Sequence, residues 1–285
     1  MTDPVQQARV ALGERLRGLR LSAGLSGSEL ARRAGWHQTR VPKIEYGKTK
    51  PSEADIRTWC ALTGTEGEVP DLIATLRNID AAYREWRRAL SGGTKRKQHE
   101  ISRMMRQSAN LRMYQPSLVP GLLQTTEYAY AVLRRSIKFH NIPDDIDEGV
   151  SKRMERQQIL YQGMRKFHIL MGELALYNAV GGDSVMLGQL DRLLATTVLP
   201  RVSFGIVPIG AELPMQLTNF VMFDERRVTV ETIAAELTIT QPSEIRVYHR
   251  TFDILVRKSV TGDEARALIH RAMGARSQPP KGPRF

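Results

Sequence analysis

The chain has 285 residues, of which 41% are hydrophobic and 25% are charged, as expected of a globular protein with one large or two smaller domains. The first ten residues are polar and no run of about 18 apolar residues occurs, which argues against a secretory signal and a membrane span, so we expect a cytoplasmic protein. The single cysteine, Cys60, excludes an internal disulfide and a CxxC-type metal site, and no metal or cofactor is expected.

The positive charge is concentrated in the first part of the chain. The formal net charge is +12. Residues 1–115 hold 21 Lys and Arg against 12 Asp and Glu, a net charge of +9, whereas residues 116–285 hold 21 against 18, a net charge of +3. This is where a nucleic-acid-binding module would need the charge, although a solvated basic surface would show the same excess.

Two helices are predicted at the start of the chain. In "VALGERLRGLRLSAG", apolar residues from Val10 to Leu21 recur at mostly helical spacing, and Gly24 ends the segment. Ser26 can then cap a short helix, "GSELARRAG", that ends at Gly35.

The third segment, "QTRVPKIEYGK", predicts the second helix of a helix-turn-helix. Val41 and Ile44 lie three residues apart and therefore share a helix face, and Gly47 ends the segment. The small Ala31 lets the two helices approach each other. Two short helices joined by a three- or four-residue turn, with these residue types at these offsets, are typical of the helix-turn-helix.

Pro42 fixes where this third helix begins. If Thr39 is the N-cap, Pro42 is the third helical residue, in the first turn, where backbone N–H groups have no acceptor within the helix. A helix beginning near Trp36 would instead lose an internal hydrogen bond, at a cost of about 3 kcal/mol.

This start places polar residues at the beginning of the helix, where such a motif faces the base edges of double-stranded DNA. The predicted DNA contacts are His37, Gln38, Thr39, Arg40, Lys43, Lys48 and Lys50. The amide of Gln suits adenine and the guanidinium of Arg suits guanine, whereas the lysines are better placed for phosphates. Taken singly, His37 is equally compatible with a turn residue and Arg40 with a solvated helix start.

Four regions are expected along the chain. They are a helix-turn-helix domain at 1–75, a linker helix and basic break at 76–110, a regulatory or partner-binding domain at 111–275 and a disordered tail at 276–285. The break is assigned to "GGTKRKQHE". Within the second domain, a strand-helix-strand unit, a hairpin turning at 224–226 and a last strand "ELTIT" predict an α/β or α+β fold with a mixed sheet.

No catalytic set can be assembled from the second domain, so we do not expect an enzyme. The candidates for a triad, a zinc motif or a phosphate loop lack the required partners and context. Glu173, which closes an apolar strand, is kept as a possible ligand contact, because such carboxylates often lie at the rim of a sheet.

Two resemblances cover roughly residues 10–273. The stretch from "LRGLRLSAGLSGSELARRAGWHQTRVPKIEYGKTKPS" to "TWCALTG" resembles the Xre-type helix-turn-helix domain, which implies a bundle of about five helices. It departs from that family at Gly27, where Gln is frequent, and at Pro42, where Ser is more usual. The segments "YQPSLVPGLLQTTEYAYAVLR", "RMERQQIL", "ELAL" and "LDRLLATTVLPRVSFGIVP" are similar in order and spacing to the C-terminal domain of the actinobacterial WhiJ-like regulators.

The resemblance to the WhiJ-like family implies an antitoxin-like transcriptional regulator, with a C-terminal domain that senses an effector or docks a small partner protein encoded nearby. It carries over no ligand site. We therefore expect a DNA-binding transcriptional regulator, mainly α with an α+β second domain, that binds its operator as a homodimer. The alternative is an antitoxin-like protein-binding module whose DNA binding is mainly autoregulatory.

Overall fold

The computed structural model describes residues 4–78, 83–85, 90, 93–196, 198–215, 217–233 and 235–277. The chain divides into two compact units. The first comprises Met1–Tyr83 with Leu237–Val247, and the second comprises Arg84–Glu236 with Tyr248–Phe285. Residues 79–82 of the predicted linker helix and residues 278–285 of the predicted disordered tail lie outside the described residues. The first two residues of that tail, 276 and 277, are helical, so the tail prediction was wrong there.

Five helices lie within residues 4–78 of the first unit, in agreement with the bundle of about five helices that the Xre-type resemblance implies. They are α1 (Pro4–Ser22), α2 (Gly27–Arg33), α3 (Arg40–Glu45), α4 (Glu53–Thr63) and α5 (Val69–Asn78), with a 3-10 turn at Glu66–Glu68. Their apolar faces meet in one core, made of Leu12, Leu16, Leu30, Ala31, Val41, Ile44, Ile56, Trp59, Cys60, Leu72, Ile73 and Leu76. Trp59 also donates its indole N–H to the carbonyl of Leu16, so the buried ring leaves no unpaired polar atom.

Local signals explain where these helices begin and end. The hydroxyl of Ser26 accepts the N–H of Glu29 and caps α2, and Gly35 follows with a φ of +69°. Ser52 and Asp55 form a capping box at the start of α4, which ends at Gly64 in the left-handed conformation. The helix starts and stops of the helix-turn-helix could therefore be located from sequence.

The second unit contains most of the sheet, and the remaining elements are as follows. The helices are α6 (Gly93–Arg106), α7 (Thr126–His140), α8 (Ile146–Gln157), α9 (Leu174–Tyr177), α10 (Asp183–Thr196), α11 (Pro242–Lys258) and α12 (Gly262–Ser277), with a 3-10 turn at Gln158–Leu160. The strands are β1 (Tyr83–Glu85), β2 (Asn110–Gln115), β3 (Lys166–Gly172), β4 (Val202–Val207), β5 (Phe220–Phe223), β6 (Arg227–Glu231) and β7 (Ala235–Ile239).

The sheet is mixed, in agreement with the predicted fold class. Its strands lie in the order β1-β7-β6-β5-β2-β3-β4. Strands β2, β3 and β4 run parallel, with Leu111 opposite Phe167 and Phe167 opposite Val202. Strands β5 and β6 are antiparallel and form the predicted hairpin, in which Asp224 adopts a φ of +51° and accepts the N–H groups of Ala109 and Asn110.

The structure differs from the predictions for the middle of the chain at three points. Tyr83–Glu85, predicted as part of the linker helix, form strand β1. The basic break assigned to "GGTKRKQHE" is helical, because α6 runs from Gly93 to Arg106 and its Lys97 is buried against Glu236. Strand β2 was not predicted, although it lies between β3 and β5. Its burial alternates only from Asn110 to Met113 and then stops, because Tyr114 is buried as well, so the strand gives too short a period of two to identify.

In the described part of the chain, no helix combines the length and apolar character needed to cross a bilayer.

Candidate nucleic-acid interface

Helix α3 begins where the sequence predicts. Arg40 is its first residue and Thr39 its N-cap, so Pro42 occupies the third position. The first backbone hydrogen bond between residues four apart runs from the N–H of Lys43 to the carbonyl of Thr39. Pro42, which has no N–H, lies before this point, so the helix loses no hydrogen bond to it. Thr39 makes no side-chain cap, because its hydroxyl lies 3.0 Å from Nδ1 of His37.

All residues predicted to contact DNA are exposed. They are His37, Gln38, Thr39, Arg40, Lys43, Lys48 and Lys50. The first five lie at the start of α3, and the last two lie in the loop after it. That loop is held to the helix by a hydrogen bond from the N–H of Thr49 to the carbonyl of Lys43, 3.0 Å long. Their contacts with DNA remain predictions.

The opposite face of α3 is anchored in the core. Val41 and Ile44 are 0% and 1% exposed and pack with Ala31 of α2, the small residue expected at this contact. Gly27 lies nearby, since a Cβ at that position would be 3.5 Å from Val41. The exposed residues therefore project from a helix with a fixed orientation.

Two glycines allow the backbones of α1 and α3 to approach each other. A methyl group at Gly13 would overlap the backbone carbonyls of Ile44 and Glu45. Gly47 has a φ of +65°, and a Cβ there would lie 2.8 Å from the backbone nitrogen of Val10. Close approach at both positions sets the distance between α1 and the end of α3.

A buried ion pair joins the ends of α1 and α3. Arg20 donates from Nε and Nη2 to the two carboxylate oxygens of Glu45, at 2.6 and 3.0 Å, and both residues are less than 10% exposed. Arg20 also donates from Nη1 to the carbonyl of Leu25, just before α2. One guanidinium therefore ties together three parts of the helix-turn-helix. No local sequence signal indicates this pair, because the two residues are 25 positions apart.

Arg40 is engaged within the bundle as well as exposed. Its Nη2 donates to both oxygens of Asp55, and its guanidinium lies 5.4 Å from the centre of the Trp36 ring. Among the described residues, its Nε and Nη1 have no hydrogen-bonding partner. Arg40 thus fixes the start of α3 against α4 while keeping donors on the exposed side.

The charges of α2 compensate one another in part. Glu29 accepts hydrogen bonds from Arg32 and Arg33, which lower the pKa of its carboxyl to about 2. The glutamate therefore stays ionised at neutral pH and offsets one of the two positive charges. On α3, Lys43 has no carboxylate within ion-pair distance among the described residues and can offer its charge to a polyanion.

Glu173 lies in the second unit and serves a structural contact. It is 8% exposed, and its Oε2 accepts the N–H of Ile209 at 3.0 Å, just after β4. Neither of the two larger cavities in this unit is lined by Glu173. This hydrogen bond holds the chain after β4 near the end of β3, and a ligand contact of Glu173 stays a prediction.

A family model for a helix-turn-helix domain matches residues 11–72. This range contains α2, α3 and the turn between them. The helix-turn-helix assigned from the pattern of small, glycine and apolar residues is therefore confirmed, and it supports double-stranded DNA as a partner.

No curated protein matches the chain. Among solved structures, one described as that of TrmBL2, an archaeal chromatin protein with a novel mode of DNA binding, is 12% identical over 84% of this chain and 88% of its own. The TM-score is 0.30, so the likeness supports no argument about this fold or its function.

A second family model, described as a domain of unknown function (DUF5753), matches residues 98–271. The match begins in α6, ends in α12 and includes strands β2 to β7. It covers more than half of the chain. The protein therefore belongs to the DUF5753 family, with a helix-turn-helix domain preceding the domain that defines the family.

Proposed function

We propose that the protein is a sequence-specific DNA-binding transcriptional regulator that reads the major groove with α3. The observation that carries this proposal is the exposed polar start of α3 on an anchored helix. Recognition requires side chains that keep a fixed position relative to the base edges, and the burial of Val41 and Ile44 supplies that rigidity.

Gln38 and Thr39 are the proposed base contacts. Both are exposed immediately before α3, where the second helix of such a motif meets base edges. The amide of Gln38 can pair with adenine through N6 and N7. Arg40 can add a contact through Nε and Nη1 while Nη2 stays on Asp55.

Lys43, Lys48 and Lys50 are the proposed phosphate contacts. They are exposed on α3 and on the loop fixed to it by the hydrogen bond from Thr49. Contacts of this kind position a protein on the duplex without reading its sequence. His37, whose ring is engaged with Thr39, is proposed to fix the hydroxyl of Thr39 as well as to approach the backbone.

We propose that the regulator acts as a homodimer. The single six-residue α3 reaches few base pairs, whereas two copies on half-sites about 34 Å apart multiply both affinity and specificity. A mass near 64 kDa in light scattering is the expected result for the free chain, twice the 32.2 kDa of one chain. A monomeric mass together with one chain per operator duplex would contradict the dimer.

The second unit is proposed to control DNA binding by sensing an effector or docking a small partner protein, without catalysis. It has its own apolar core and a cavity. The Xre and WhiJ-like resemblances favour a transcriptional regulator over a free-standing enzyme. A cytoplasmic location fits a protein whose partner is DNA.

The direct test is fluorescence anisotropy of the full chain on DNA from upstream of its own gene and on a scrambled duplex, at several salt concentrations. We expect preference for the specific duplex. Gln38→Ala should reduce the difference in binding free energy between the two duplexes by about 1–3 kcal/mol. Lys43→Ala should weaken binding to both duplexes alike and reduce the slope of log affinity against log salt concentration by about 1.

Lys138→Ala is the matched control. Lys138 is an exposed lysine near the end of α7 in the second unit, and its removal changes the net charge as Lys43→Ala does. It should leave both affinities unchanged. Equal binding to both duplexes by the unmodified protein would overturn the proposal, because charge alone would then explain the affinity.

A further inference from the structure

The second unit contains a cavity of about 920 Å³ that is partly open to solvent and lies in the range of small-molecule binding sites. A neighbouring cavity of about 460 Å³ shares part of its wall, including Ile101, Val132 and Arg153. All lining residues belong to this one unit. The two spaces together could hold a ligand with an extended apolar body.

Most of the wall is apolar. α6 contributes Ile101 and Met105, α7 contributes Val132, and the sheet contributes Met113 and Val221. Such a surface gains free energy when it is covered by an apolar molecule. It does not select among apolar ligands, so specificity has to come from the polar groups of the wall.

Two arginines supply these polar groups. Arg153 and Arg156 lie on α8 and both line the larger cavity. Arg156 donates from Nη1 to Oε1 of Gln98 at 2.6 Å, and Arg153 donates from Nη1 to Oε1 of Gln124 at 2.7 Å. Oε1 of Gln98 also receives Nε of Arg153 at 3.3 Å. The amides orient the guanidinium groups but leave their charge uncompensated.

The charge of this pair is unusual for a protein interior. Among the described residues, no carboxylate lies within ion-pair distance of either guanidinium. Arg156 is 6% exposed, and its buried Nε has no hydrogen-bonding partner. Burial lowers the pKa of Arg153 to about 10, and burial together with the charge of Arg153 lowers that of Arg156 to about 9. Buried charges are ordinarily paired, but these two guanidinium groups have a single carboxylate, Glu231, near enough to act on both of them.

The charged groups nearby offset only part of this charge. Lys97 and Glu236 compensate each other through hydrogen bonds of 2.7 Å. Glu231 lines the cavity and accepts from the amide of Asn219, and its carboxylate acts electrostatically on both arginines, so it offsets one of their two positive charges. One negative charge on a ligand would restore the balance.

We infer that this cavity binds an organic acid, with its carboxylate on Arg153 and Arg156 and its apolar body along α6, α7 and the sheet. This site would give the sensing role proposed above a ligand class. Only the step from ligand binding to control of DNA binding rests on that proposed function. Binding itself can be tested separately. Arg is suited to this task because its planar fork matches a carboxylate.

The test is calorimetric titration of the full chain with decanoate, with decanol as the uncharged match and with inorganic phosphate as the anion without an apolar body. We expect decanoate to bind at one site per chain, with an affinity about tenfold or more above that of decanol. Hydrogen bonds between the carboxylate and the charged arginines account for a difference of this size. Inorganic phosphate should not displace it. Equal binding of decanoate and decanol, or displacement by phosphate, would overturn the inference.

Two variants assign the site. Arg153→Met should lower the affinity for decanoate about tenfold or more and leave the affinity for decanol nearly unchanged. The substitution removes the charge and keeps an apolar side chain of similar length. Val132→Phe, which fills space shared by both cavities, should weaken both ligands while the near-ultraviolet circular dichroism stays native. Arg134→Met, an exposed arginine on α7, is the control and should change neither. Unchanged decanoate binding in Arg153→Met or Val132→Phe would place the ligand elsewhere.

Anisotropy on the specific duplex separates this inference from the proposed function. If DNA is bound specifically but decanoate is not bound, only the organic-acid site fails. If decanoate binds as expected but both duplexes bind alike, the ligand site stands and the regulator proposal fails.

Discussion

Nη2 of Arg40 donates to both carboxylate oxygens of Asp55, at 3.0 and 2.9 Å. The same carboxylate accepts the N–H of Ser52 at 2.8 Å and closes the capping box of α4. One side chain therefore fixes the start of α3 and the start of α4. The helix proposed to read DNA is held in place from its own first residue.

Asp55→Ala is expected to lower the free energy of unfolding by about 1–3 kcal/mol, since it removes a helix cap and a charged hydrogen bond. Urea unfolding followed by tryptophan fluorescence measures this, because two of the three tryptophans, Trp36 and Trp59, lie in the first unit. Glu53→Ala is the control, since Glu53 pairs with Arg77 on the surface and should matter much less. Equal effects of the two substitutions would contradict this prediction.

The contribution of Asp55 should also depend on pH. Burial acts to raise the pKa of this carboxyl, but the hydrogen bonds from Ser52 and Arg40 outweigh it, so the pKa lies below its ordinary value. The stabilisation is then complete above the ordinary pKa of about 3.9 and is lost as the pH falls through the folded-state value. The stability difference between the unmodified protein and Asp55→Ala should shrink in acid. A constant difference down to pH of about 2 would contradict this.

Arg20→Met should destabilise the first unit by about 3–5 kcal/mol, because it leaves the buried carboxylate of Glu45 without its main partner. The urea midpoint by tryptophan fluorescence reports the loss. Arg15→Met is the matched control on the same helix, since Arg15 pairs with Glu68 at the surface and should contribute little. A similar midpoint for both variants would show that the buried pair does not hold the helices together.

Gly13→Ala should destabilise the first unit and weaken specific DNA binding, because the added methyl group would push the backbone of α3 away from α1. Gly18→Ala, five residues later in α1, meets nothing within 4 Å and should instead stabilise by about 0.5–1 kcal/mol. Thermal unfolding and anisotropy on the specific duplex compare the two. Stabilisation by Gly13→Ala would show that the close approach is unimportant.

Asp145→Asn should destabilise the second unit by about 1.5–3 kcal/mol. The carboxylate of Asp145 accepts the N–H groups of Thr94 and Lys95 and the hydroxyl of Thr94, and thereby caps α6 from 50 residues away. Asp147→Asn, an exposed residue two positions later, should have little effect. Near-ultraviolet circular dichroism during urea unfolding measures both, and equal midpoints would contradict the capping role.

Local signals made much of the fold predictable. The cap at Ser26, the left-handed Gly35 and the buried pair Val41 and Ile44 each depend on residues a few positions apart, so their pattern could be identified in the sequence. The hairpin at 224–226 followed from the same kind of local signal. The exposed candidates at the start of α3 were located for this reason, while their contacts with DNA stay predictions.

Residues far apart in sequence decided the features that were missed. The charges of "GGTKRKQHE" favoured a solvated break, but Lys97 pairs with Glu236, 139 residues away, and Asp145 caps the helix. Strand β2 is short and flanked by strands from later in the chain. Neither partner is visible from the segment itself.

By itself, the sequence determined the helix-turn-helix, the start of α3 at Arg40, the positive charge of the first part of the chain and the mixed character of the sheet, because helix caps, glycine turns and apolar periods act over a few residues. Only the tertiary structure decided that Arg40 donates hydrogen bonds to Asp55 and that Arg20 is buried against Glu45. It also decided that Arg153 and Arg156 line the same, mainly apolar cavity. These arrangements depend on which side chains the folded backbone brings within a few ångströms, and sequence separation carries no information about that distance.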